Sequence, residues 1–172
     1  MALLSRACLD VISSSWLVEG RLSDWAPPFF NFNKGAIMQE AANILKEHGI
    51  RPSLQRVCVY RYLRSVKTHP TVDEIYTALL PEYPSLSRTT IYNTLELLLS
   101  NHLAISLDFG DGFLRYDADC SPHCHFKCKG CGKVFDVFVA PPDCTKMVPA
   151  GFTLMGTSLY MFGLCADCAK TN

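Results

Sequence analysis

A chain of 172 residues has room for one medium domain or two small ones, and a hydrophobic share of 49% is enough to build cores. Its 16 Lys and Arg balance 16 Asp and Glu, so net charge gives no case for nucleic acid, and any DNA contact has to come from a local surface. No apolar run reaches the ~18 residues that cross a bilayer, and nine cysteines, four of them spaced as metal thiolates, argue for a reducing compartment, the cytoplasm.

Residues 1–37 fit poorly with the rest of the chain. MALLSRACLDVISSSWLVEG is faintly like a signal peptide, but Asp10 and Glu19 interrupt it and no small-residue cleavage site comes after it. WAPPFFNFNKG is rich in Pro, aromatics and turn formers and has no helical period. This N-terminal extension is either a flexible arm or sequence upstream of an alternative start at Met38. A first amphipathic helix is expected over about 38–48, closed by Gly49. Ser53 is placed to cap LQRVCVYRYLRS, whose Val57, Tyr60 and Leu63, with Val66 beyond, share a face. Thr71 is placed to cap TVDEIYTALL, with Glu74 completing a capping box and Pro70 fixing the approach. Ser87 is placed to cap RTTIYNTLELLLSNHL, with Ile91, Leu95, Leu98 and Leu99 on one stripe and Arg88, Thr90 and Asn93 on the other side. AISLDFGDGFLRYD then alternates around Gly110-Asp111-Gly112, a hairpin signal. Helices followed by a Gly-tipped hairpin describe either a winged helix-turn-helix or an ordinary small bundle.

From 118 onward the pattern is strand-like: CHFKC, KVFDVFV and FTLMGTSLYMFG, the last two separated by the loop-rich VAPPDCTKMVPAG. About 55 residues are marginal alone and call for a metal or a partner chain. Cys128 and Cys131 in CKGCGK and Cys165 and Cys168 in LCADC supply the metal. A two-residue gap lets a tight turn aim both sulfurs at one ion, and two such pairs make a closed, structural zinc site; disulfides or incidental thiols are the bland alternative. A second, mixed cluster lies beside it. His123 and His125 alternate on a strand and so face one side, with Asp117 before them and Asp136 after. Imidazoles with carboxylates suit iron, manganese or zinc, although two strand histidines can also be simply solvated.

The order winged helix, H-x-H, CxxCG, aspartate, terminal CxxC resembles the ferric uptake regulator family of metal-dependent bacterial repressors. The motifs IRPSLQR, HPTVDEIY, LSRTTIYNTLELL, HCHFKCKGCGKVFD and LYMFGLCADC carry the resemblance over about 38–170. It implies an α+β protein: a winged-helix DNA-binding domain at 38–117, then a small α/β metal-binding dimerisation domain at 118–172 with the four-cysteine zinc site. It implies regulatory ligands at His69, Asp117, His123, His125 and Asp136, a homodimer, and a double-stranded DNA operator read by Ser87, Arg88, Thr90, Tyr92 and Asn93, with Arg51 in the minor groove. Core packing is the competing role for Tyr92. Aspartate after CGKVF, and Asp117 six residues before the first histidine of the pair, resemble the peroxide-sensing members. For those the implied metal is Fe(II) or Mn(II), and peroxide is the only small molecule sensed, through oxidation of His69 or His123. Thr157 stands where many members have histidine, and the proline-bearing segment after Asp136 is shorter than in relatives.

The nearest rivals are a zinc-sensing repressor using Cys120 or Cys124 as a soft ligand, and an iron-sensing one. A metallohydrolase would need an open metal position and a general base; no HExxH is present, and the expectation is a regulator, not an enzyme. A zinc-stapled interaction module would leave His69 and the wing without a role.

Overall fold

The computed structural model describes residues 34–139 and 142–170. Most of the 1–37 extension therefore lies outside the described residues. The first helix, α1 (Lys34–Glu47), starts four residues ahead of Met38. Nothing in KGAI breaks a helix, so the turn expected at Met38 propagates backward. Gly49 ends this region at a positive φ of 75°.

The next three helices fall where the caps put them. Helix α2 (Leu54–Ser65) starts at Ser53, whose hydroxyl accepts from the Arg56 amide. Val66 lies just past it with extended backbone. Helix α3 (Val72–Leu79) carries the full capping box: the Glu74 amide donates to the Thr71 hydroxyl, and the Thr71 amide donates to the Glu74 carboxylate at 2.7 Å. Helix α4 (Arg88–Ser100) is capped by Ser87. Each such cap contributes on the order of 1 kcal/mol. The apolar faces meet in one core that includes Leu45, Val59, Leu63, Ile75, Ile91, Leu95 and Leu98, all buried.

Strands β1 (Ile105–Asp108) and β2 (Leu114–Asp117) pair antiparallel with Ile105 opposite Asp117. Gly110 and Gly112 turn the tip at φ 77° and 86°, where a side chain would be strained. This is the expected wing.

A three-stranded sheet comes next, ordered β4-β3-β5. Strand β3 (Cys124–Cys128) lies antiparallel to β4 (Val134–Val137) and parallel to β5 (Tyr160–Gly163). The pattern of FTLMGTSLYMFG predicts strand throughout, but only its last four residues are strand. Strand β3 offers just five residues of edge, so the rest finds no partner. Phe152 and Met155 in that stretch are 73% and 92% exposed. A single 3₁₀ turn, Cys144–Met147, interrupts the proline-bearing loop. The short helix α5 (Ala166–Lys170), which the sequence pattern does not predict, closes the described chain. No described helix is long and apolar enough to cross a membrane.

Candidate metal centres and DNA-facing helix

The four cysteines converge. Their sulfurs all lie within 4.8 Å of one another. Cys131 Sγ and Cys165 Sγ are 3.9 Å apart, close to the roughly 3.8 Å edge of a tetrahedron with Zn–S bonds of ~2.3 Å. The first knuckle is shaped by Gly132, at φ 72°, whose amide donates to the Cys128 carbonyl at 2.9 Å. Gly130 is required by proximity: a Cβ there would sit 2.9 Å from Cys168 Sγ. The buried Cys128 sulfur accepts from the amides of Cys131 and Cys165 at 3.5 and 3.2 Å. Those amide dipoles pull its thiol down to about 6, while crowding by Cys165 and Cys128 pushes Cys168 up to about 12. Four sulfurs this close cannot all ionise unaided, and a divalent cation is what lets them. The donor set fits zinc.

The second cluster draws on both halves of the chain. His69, just before α3, Asp117 at the end of β2, His123 and His125 on and beside β3, and Asp136 on β4 place one ligand atom each within 4.8 Å of all the others. His69 Nε2 is 2.6 Å from Asp136 Oδ1 and 3.6 Å from Asp117 Oδ2. His123 Nε2 is 3.1 Å from Asp117 Oδ2 and 2.9 Å from His125 Nε2. These separations suit N and O donors about 2.0–2.2 Å from a shared ion. Two buried atoms of the centre, His69 Nε2 and Asp136 Oδ1, lie side by side at 2.6 Å and make no aligned hydrogen bond. A cation in contact with both would satisfy both. The outer nitrogen of His123, Nδ1, lies 2.8 Å from the Ser121 carbonyl; as its donor, the ring turns the Nε2 lone pair inward.

Burial alone would lower the His69 pKa, but Asp117 and Asp136 raise it above the ordinary imidazole value. Burial alone would raise Asp117, yet the nearby His125 and His69 imidazoles and the hydrogen bond it accepts from the Asp119 amide hold it well below the usual carboxylate range.

His69 is also strained. Its φ is 51°, a conformation that costs a non-glycine residue about 1–3 kcal/mol. Backbone contacts hold it there: the Tyr116 amide donates to the Pro70 carbonyl, and Arg115 donates to the His69 carbonyl at 3.2 Å. Arg115 and Ser121, the supports of two ligands, are not evident in the sequence. Arg115 is a polar residue beside the apolar Tyr116 on a wing strand, which signals only an ordinary alternating face. Neither Cys120 nor Cys124 belongs to the five-ligand set.

On α4 the hydroxyls of Ser87 and Thr90 are 2.9 Å apart, and Ser87 caps the helix. Arg88 is exposed, pairs with Asp73 and lies over the Tyr76 ring at 4.1 Å. Asn93 and Arg51 are exposed. Tyr92 is 56% exposed, which removes the core-packing role for it.

Comparison with known proteins shows the family and the fold. The model of the ferric uptake regulator family matches residues 47–161. The peroxide operon regulator of Bacillus subtilis (strain 168) is 35% identical over 136 residues, spanning 77% of this chain and 94% of that protein. The Helicobacter pylori ferric uptake regulator shares the fold with a TM-score of 0.60 at 23% identity, over 78% of this chain and 93% of that one. The Campylobacter jejuni peroxide stress regulator gives 0.54 at 25%, over 76% and 98%.

Proposed function

Because this chain belongs to the ferric uptake regulator family, we propose that it is a metal-dependent DNA-binding repressor that senses peroxide through oxidation of its metal ligands. One observation carries the reading: a buried set of three imidazoles and two carboxylates joins the loop before α3 to the sheet beyond the wing. A ligand that binds one arrangement of two parts better than another selects that arrangement. Here the parts are the DNA-binding region 38–117 and the metal-binding region 118–172. Cys128, Cys131, Cys165 and Cys168 would hold zinc as a staple. His69, Asp117, His123, His125 and Asp136 would hold Fe(II) or Mn(II). The N/O donor set favours those metals over a thiol-assisted zinc sensor. The protein would act as a homodimer in the cytoplasm, on an operator in double-stranded DNA, and without catalytic turnover.

Bound Fe(II) would activate the O–O bond, while the two electrons that reduce the peroxide come, in the net reaction, from the imidazole C–H that becomes C–OH. One oxygen ends on a ring carbon of His69 or His123 and the other leaves as water. Each protein molecule reacts once and loses a ligand. The test is DNA binding by anaerobically loaded protein before and after peroxide. The Fe(II) form is expected to release DNA and the Mn(II) form to keep it; equal release from both would count against iron-centred sensing.

Ser87, Arg88, Thr90, Tyr92, Asn93 and Arg51 are the proposed DNA contacts. Tyr92→Ala is expected to lower operator affinity by roughly 1–3 kcal/mol, the scale of one good base contact. Thermal stability should barely change, since the side chain is exposed. Unchanged gel-shift affinity would remove Tyr92 from the interface.

A further inference from the structure

The five ligand side chains are between 0% and 9% exposed. Whatever reacts at the centre must reach it through a void that touches a ligand. A cavity of about 380 Å³ does so, with His123 and His125 in one wall. Ile105 and Ser106 of β1, with Ser158 and Tyr160, line it as well. On the same measure a water molecule needs only roughly 10–15 Å³, so the space is far larger than hydrogen peroxide requires. Ser106 and Ser158 offer hydroxyls to an –OOH group, while Ile105 and the Tyr160 ring offer apolar surface to a small alkyl group.

We propose that this cavity is where a hydroperoxide reaches the centre, and that it admits small alkyl hydroperoxides as well as hydrogen peroxide. The inference rests on the peroxide-sensing reading and adds a route and a substrate class to it. In the alkyl case the O–O bond breaks, one oxygen replaces hydrogen on a ligand imidazole carbon, and the other departs with that hydrogen as the alcohol. His123 and His125 both line the cavity and belong to the ligand set, so an incoming reagent meets these two imidazoles, which lie on one short peptide.

The experiment compares the full Fe(II)-loaded chain with Ser106→Phe and Ser158→Phe, which add bulk at two lining positions of the cavity on different segments. Neither residue is a ligand, and both are exposed at the rim. Each protein is treated anaerobically with hydrogen peroxide or tert-butyl hydroperoxide. Oxygen gain on the His123 peptide is followed by mass, and Mn(II) affinity is measured separately. The unsubstituted chain should be oxidised by both reagents. Both variants should keep their Mn(II) affinity and lose the tert-butyl hydroperoxide reaction several-fold, with a smaller loss for hydrogen peroxide. Undiminished reaction in both variants, or an unsubstituted chain inert to tert-butyl hydroperoxide but oxidised by hydrogen peroxide, would overturn the proposal. If neither reagent oxidises the unsubstituted chain, the peroxide-sensing reading itself fails. If one variant does not fold, the other still decides.

Discussion

Cys128→Ser is expected to cost the protein its zinc and its dimer together. Cys128 is the buried sulfur of the four, on the end of β3, and it accepts the amides of both knuckles. A hydroxyl there is a poor zinc ligand and a weaker acceptor for both amides. The sheet it serves is three short strands with exposed apolar surface, Phe135 and Phe162 among it. Structural zinc contributes on the order of 10 kcal/mol in small sites, comparable to the entire stability of a domain. Zinc content and sedimentation equilibrium of the variant check this. A zinc-free variant that stays a folded dimer would deny the site its structural role.

His69→Ala is expected to abolish metal-activated DNA binding while zinc and fold remain. His69 is the ligand contributed from the helical region, separated from the H-x-H by the whole of α3, α4 and the wing. Metal coupling in such systems is typically 5–150-fold in affinity, and without His69 that factor should fall to about one. The fold should tolerate the change. Its loss takes one partner from the buried carboxylates of Asp117 and Asp136, but His123 and His125 still face both, and alanine leaves the caps of α3 untouched. Gel shifts at matched metal saturation, alongside circular dichroism, check it. Metal-dependent binding equal to that of the unsubstituted chain would remove His69 from the site.

Much of this fold is legible in the amino-acid sequence, for identifiable reasons. Caps are local chemistry, so Ser53, Thr71 with Glu74, and Ser87 announce three helix starts. The CxxC spacing encodes a knuckle by itself, and Gly110 and Gly112 encode the wing turn. His123 and His125 are legible as a pair because strand alternation is local too. His69 is not: nothing near HPT says that its imidazole closes on Asp136, and only the family resemblance names it. The strained φ of His69 and the grip of Arg115 on its carbonyl are long-range consequences of packing β2 against that loop. The over-long third strand fails for a related reason. Alternating apolar residues predict strand, but strand needs an edge to pair with, and β3 ends after five residues. Helix α5 is too short for periodicity to reveal.

Iron-bound ligands, and not zinc-bound thiols, are expected to take the oxidation. The most direct measurement is the mass of peptides from the Fe(II)-loaded protein after peroxide, with zinc assayed in the same sample. One added oxygen on the peptide holding His69 or His123, with zinc retained and the Mn(II) form unmodified, is the predicted result. Disulfides among Cys128, Cys131, Cys165 and Cys168 with zinc released, equal in both metal forms, would contradict it and make the protein a thiol switch.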